Sequence, residues 1–114
     1  MTTCISFFFV SFVLRASAEA PEIIPFSMDA PLSTGRDAAL TCSVAKGDTP
    51  MTIKWTFEGR PVTSGMGVLV LPAGSRTSFL SIESVEAAHS GQYTCTASNA
   101  VGEASHTARL TVKG

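Results

Sequence analysis

Apolar and polar side chains alternate along most of this chain. Leu40, Cys42 and Val44 are interleaved with Thr41 and Ser43, and Ile53, Trp55 and Phe57 with Lys54, Thr56 and Glu58. The same two-residue period runs through Tyr93, Cys95 and Ala97, and again through Ala108, Leu110 and Val112. Successive side chains of a strand point to opposite faces, so each segment has one dry face and one wet one. Antiparallel sheets packed on a core carry that pattern. Turn residues punctuate the runs at Thr34-Gly35, Lys46-Gly47-Asp48, Glu58-Gly59, Pro72-Ala73-Gly74, Ser90-Gly91 and residues 99–102. The one helix-like stretch, residues 83–89, is too short to stand alone and reads as a turn. Many short strands at regular spacing predict an all-β sandwich or barrel.

The first residues break the pattern. Residues 5–14 form a largely apolar run of ten, too short to span a bilayer, and Ala16-Ser17-Ala18 follows it. This is the layout of a secretory leader with a small-x-small cleavage site. A cut after Ala20 would leave Pro21 directly behind it, which the peptidase disfavours, so the reading is a leader at 1–18 and a domain at 19–114. Cys4 leaves with the leader. Cys42 and Cys95 remain, and two cysteines in an oxidising compartment have one pairing. With no second apolar run of spanning length, any membrane attachment would come from parts of the chain outside this segment.

Composition narrows the function classes. The 114 residues suit one domain, and 45% hydrophobic against 15% charged gives ample material for a core. A net charge of -1 supplies no electrostatic footprint for nucleic acid. His89 and His106 have no Cys or carboxylate at ligand spacing, and no run of oxygen ligands brackets Asp37 or Asp48, so neither zinc nor calcium is expected. No serine sits on an elbow with a base and an orienting acid, so no enzyme and no cofactor are expected. Asn99 is followed by Ala100 and Val101, which is not a glycosylation sequon, so both sheet faces should be free of N-glycan.

Cys42, Trp55 and Cys95 fall in the order and spacing of the immunoglobulin fold, and Tyr93, two residues before Cys95, matches its tyrosine corner. Leu80 and Ile82 fill the usual inward positions of a neighbouring strand. The expectation is an immunoglobulin-like (I-set type) β-sandwich: two antiparallel sheets joined by one inter-sheet disulfide. Gly47-Asp48-Thr49-Pro50-Met51, Thr56-Phe57-Glu58-Gly59, His89-Ser90-Gly91-Gln92-Tyr93-Thr94-Cys95 and Ala97-Ser98-Asn99-Ala100-Val101-Gly102 resemble the Down syndrome cell adhesion molecule family of arthropods. His89 stands where the usual pattern has Asp, which removes the acid that Arg76 would commonly meet. A plain structural substitution is the expectation there, rather than a pH switch. A domain directly behind a leader resembles the shortened chelicerate members, whose variable first domain is similar to the seventh domain of the insect protein. The resemblance implies isoform-specific homophilic recognition, the partner being an identical domain on an opposing cell. The alternative is an immune-type binder of heterologous ligands.

Strand parity selects a face for that recognition. With Leu40 and Cys42 inward, Ala39 and Thr41 face outward. With Leu80 and Ile82 inward, Thr77, Phe79 and Ser81 do the same, leaving an exposed aromatic ringed by small side chains. Residues 68–71 are four apolar side chains in succession, of which alternation buries two. Val68 and Val70 are assigned to the recognition face, Leu69 and Leu71 being the pair that the other register exposes. Arg36, Arg76 and Glu83 lie towards its ends, where like charges would reject non-identical copies. The opposite sheet shows Lys54, Glu58, Gln92, Thr94, Thr96 and Arg109, a wetter face that costs more to desolvate.

Overall fold

The computed structural model describes residues 18–27 and 31–114. Residues 1–17, which hold nearly all of the expected leader and Cys4, lie outside the described residues. The chain runs through β1 (Glu22–Ile23), β2 (Leu32–Ser33), β3 (Ala38–Lys46), β4 (Thr52–Phe57) and β5 (Arg60–Pro61). It continues through β6 (Leu69–Pro72), β7 (Thr77–Ile82), β8 (Gly91–Asn99), β9 (Gly102–Leu110) and β10 (Val112–Lys113). Two single-turn 3-10 helices, Ser64–Met66 and Ala87–His89, lie in the connections. The second occupies the end of the stretch that the sequence marks as a turn.

The strands form two antiparallel sheets, ordered β1-β3-β7-β6 and β5-β4-β8-β9. After β1 the chain changes sides, and β2 pairs in parallel with β10. The alternation of the last strand is therefore divided, with β9 ending at Leu110 and Val112 opening β10. The β4–β5 hairpin turns through Glu58 and Gly59, both at positive φ (50° and 84°). A two-residue loop of that kind matches the right-handed twist of its strands.

Alternation places the core. In β3, Ala38, Leu40, Cys42 and Val44 are buried while Ala39 and Thr41 are exposed; in β8, Gly91, Tyr93, Cys95 and Ala97 are buried. The Cys42–Cys95 disulfide joins β3 to β8 across the sandwich. Trp55 lies opposite Cys95 in the β4–β8 ladder, which sets the indole beside the bridge. Leu80, Ile82, Val85 and Leu110 are almost wholly inaccessible around it.

The assignment of Val68 and Val70 to the outward face is corrected. Val68 precedes β6 and is buried with the core at 6% exposure, so it does not belong to an outward face. In β6, Leu69 pairs with Ser81 and Leu71 with Phe79, so these two share the outward side. Val70 pairs with Leu80 and turns the other way. It is still 38% exposed because β6 is the last strand of its sheet, and a cleft lined by Met51, Ile53 and Pro72 opens beside it.

Candidate recognition face

The β1-β3-β7-β6 sheet presents its outward side chains in rows. Leu71, Phe79 and Thr41 stand abreast on β6, β7 and β3; one step along, Leu69, Ser81 and Ala39 do the same. Side chains directly opposite on adjacent strands lie about 4.5–5.5 Å apart at Cβ, so each row is a continuous contact surface. Phe79 is 39% exposed, Leu71 49% and Leu69 56%. Among the described residues, six large apolar side chains are exposed, and three of them, Leu69, Leu71 and Phe79, share this outward face. That is a cluster rather than scatter, and a contiguous apolar patch marks an interaction surface. Ala39 and Thr41 are exposed beside it, while Thr77 and Ser81 are half-buried.

Arg36, Arg76 and Glu83 are all exposed, towards the ends of these strands. Arg76 donates from Nη2 to the carbonyl of Gly47 at 2.7 Å, which holds its guanidinium at the end of β3. Lys46 and Glu22 form an exposed ion pair at 3.8 Å, a kind that contributes little.

The other sheet has a different surface. Thr94 and Thr107 share a hydroxyl hydrogen bond at 2.8 Å, and Thr96 and Ser105 another at 2.9 Å. The Glu58 carboxylate accepts the backbone N–H of Gln92. Covering that face would strip water from a lattice of hydroxyls and charges.

Beneath the sheets, three polar groups that sequence patterns name only in part hold the scaffold. The Trp55 indole N–H donates to the Ser78 hydroxyl at 3.0 Å. Ser78 was missed at the sequence level, although the parity of β7 puts it inward with Leu80. The Tyr93 hydroxyl donates to the carbonyl of His89 at 2.7 Å, the corner that the sequence predicts. Burial pushes the Tyr93 phenol up to about 12. His89 is buried; its Nδ1 accepts the Glu86 N–H at 2.9 Å, so Nε2 carries the proton and donates to the Met66 carbonyl at 2.8 Å. The imidazole thus clamps the Ala87–His89 turn to the segment before β6, which is the structural role expected. His106 lies elsewhere, its ring packed edge-on against Phe26 at 4.5 Å. Among the described residues, no group of His, Cys, Asp or Glu is arranged to hold a metal ion.

The profile of the immunoglobulin I-set domain matches residues 21–112. The chain belongs to the immunoglobulin I-set family. Within it, the sequence is 39% identical over 93 residues to the cell adhesion molecule Dscam2 of Drosophila melanogaster, covering 82% of this chain and 4% of that protein. It is 35% identical over 105 residues to human DSCAML1, covering 91% of this chain and 5% of the relative. The crystal structure of the Dscam1 Ig7 domain, isoform 5, superposes with a TM-score of 0.80 at 42% identity, covering 82% of this chain and 97% of that one. A titin I-band fragment matches with a TM-score of 0.76 at 28% identity, covering 84% of this chain and 33% of that one. Backbone shape is thus shared with titin, while the higher identities belong to Dscam proteins. This I-set domain spans only a small part of the length of those curated relatives. Its relatives form a non-enzymatic family, and the chain is not an enzyme.

Proposed function

We propose that this I-set domain is a cell-surface recognition module of a Dscam-type adhesion molecule. It would bind an identical domain on an opposing cell through the β1-β3-β7-β6 face. The observation that carries this reading is the Leu69–Leu71–Phe79 cluster, flanked by Ala39, Thr41 and Ser81 on a sheet face without a sequon. Two copies meeting antiparallel about a two-fold axis bring each Phe79 onto its copy or onto the partner's Leu71, with Arg36 and Glu83 left at the rim. A leader at 1–18 and a mature domain from Glu19 agree with an extracellular position, as do relatives named as cell adhesion molecules. The immune-type reading would use the loops at one end of the sandwich, where Glu19 hydrogen-bonds to Asn99 and Pro21 packs on Gly47 between two of those loops.

Sedimentation of the secreted chain across a concentration series tests the proposal. The parent should dimerise, Phe79→Asp should be a folded monomer, and Thr94→Asp on the other sheet should still dimerise. A dimer retained in Phe79→Asp and lost in Thr94→Asp would move the interface to the other face. A parent that is monomeric throughout would overturn homophilic binding by this domain alone.

A further inference from the structure

Ahead of β1, residues 19–21 lie in a slot between the loop after β3 and the turn after β8, and this slot is built for them. Gly47 is buried at φ +125°, and a Cβ there would stand 2.8 Å from the Cα of Pro21. A Cβ on Gly102 would lie 3.1 Å from that of Ala20. Both positions give room to the incoming chain by lacking a side chain.

Polar groups fix the position of Glu19. Its carbonyl accepts the Asp48 N–H at 3.1 Å and the Asn99 amide at 2.8 Å. Asn99 also donates to the Asp48 carbonyl at 3.1 Å and accepts the Val101 and Gly102 N–H groups at 3.0 and 3.1 Å. With two donors and two acceptor lone pairs engaged, the Asn99 side chain is locked. The remaining group is the backbone nitrogen of Glu19, which points at the Asp48 carboxylate from 3.3 Å. That is long for a neutral amide, yet it is the right place for a cation.

We propose that Asp48 and Asn99 form a receiving site for the amino terminus released when the leader is cut between Ala18 and Glu19, the Glu19 ammonium pairing with the Asp48 carboxylate. The proposal rests on the leader reading above and is independent of homophilic binding. Hydrolysis by signal peptidase adds water across the Ala18–Glu19 amide; the carboxylate leaves with the leader, and the ammonium stays on Glu19. The cut precedes folding, so the finished domain docks a terminus that carries three donors and a positive charge. This converts a weak contact into a charge-assisted one and pins the strand-entry segment against both loops.

The full chain, secreted from eukaryotic cells under its own leader, tests this in two steps. Terminal sequencing and intact mass should show a start at Glu19 with a free amine. A start elsewhere, or a Glu19 cyclised to pyroglutamate, would overturn the proposal through the cleavage step. The α-amine should then titrate roughly half a unit or more above its ordinary range of about 7.7–8.0, read by NMR or by the pH dependence of acylation. Asp48→Asn should return it to that range while Trp55 fluorescence reports an intact fold. An amine that titrates alike in parent and variant would overturn the capture itself, whatever the cleavage site.

Discussion

Trp55 reaches across the sandwich to Ser78: the indole N–H on β4 donates to a hydroxyl on β7, 3.0 Å away and closed off from solvent. The two residues belong to different sheets, and Ser78 lies opposite Cys42 in its own ladder. A buried hydroxyl of this kind is tolerable only with a partner, and a buried indole N–H needs one too. The pair fixes how the sheets face each other beside the disulfide.

Trp55→Ala should therefore destabilise the domain by about 3–5 kcal/mol, the range for truncating a large buried aromatic. Ser78→Ala should cost about 1–2 kcal/mol, the loss of one buried hydrogen bond with a donor left unpaired. Denaturant midpoints measure both. Combining Trp55→Phe with Ser78→Ala should cost less than the sum of the two singles, because one interaction is removed twice.

His89→Ala leaves the Glu86 N–H and the Met66 carbonyl without their side-chain partner. A loss of about 2–3 kcal/mol is expected from two such groups. Amide exchange at Glu86 should accelerate in step with it. An unchanged exchange rate would mean that the imidazole does not hold this turn.

The chain has one tyrosine, so its phenolate absorbance reports Tyr93 alone. Its folded pKa, pushed up to about 12, lies above the ordinary value of 10.0. A raised pKa means that the folded state keeps a proton which the unfolded state has released. The stabilisation is fully present below pH 10 and falls as pH rises from 10 towards 12. The whole shift sets an upper bound of about 3 kcal/mol. Tyr93→Phe should abolish this alkaline component, and a parent phenol ionising freely near 10 would refute the buried corner.

Val68 and Leu71 are three residues apart and should behave oppositely. Val68→Ala removes buried methyl groups and should cost about 1–2 kcal/mol of folding stability. Leu71 is half exposed, so Leu71→Ala should leave the denaturant midpoint within about 0.5 kcal/mol. Its effect should appear instead in self-association, weakened roughly tenfold, which corresponds to about 1.4 kcal/mol.

Much of the fold was legible because strand geometry is local. A period of two is imposed by the backbone itself, so the placing of Phe79 outward and Leu80 inward needed no knowledge of any other strand. Cys42, Trp55, Tyr93 and Cys95 were readable for a related reason: each sits at a position where one residue type alone does the work, in sulfur pairing, in a large apolar face or in a hydroxyl reaching back to a carbonyl.

The β6 register was not legible. Four apolar residues in a row satisfy either parity, and only the pairing of Leu71 with Phe79 chose between them, burying Val68 and turning Leu69 outward. Ser78 was hidden by its polarity, which argues for the surface until Trp55 arrives from the other sheet. The Met66 carbonyl that His89 meets, and the Asn99 amide that meets Glu19 in its slot, lie on segments far along the chain from them. The sequence by itself determined which side chains alternate and which cysteines join. The tertiary structure decided which polar groups meet, because that depends on how two separately patterned sheets pack and not on the periodicity of either one.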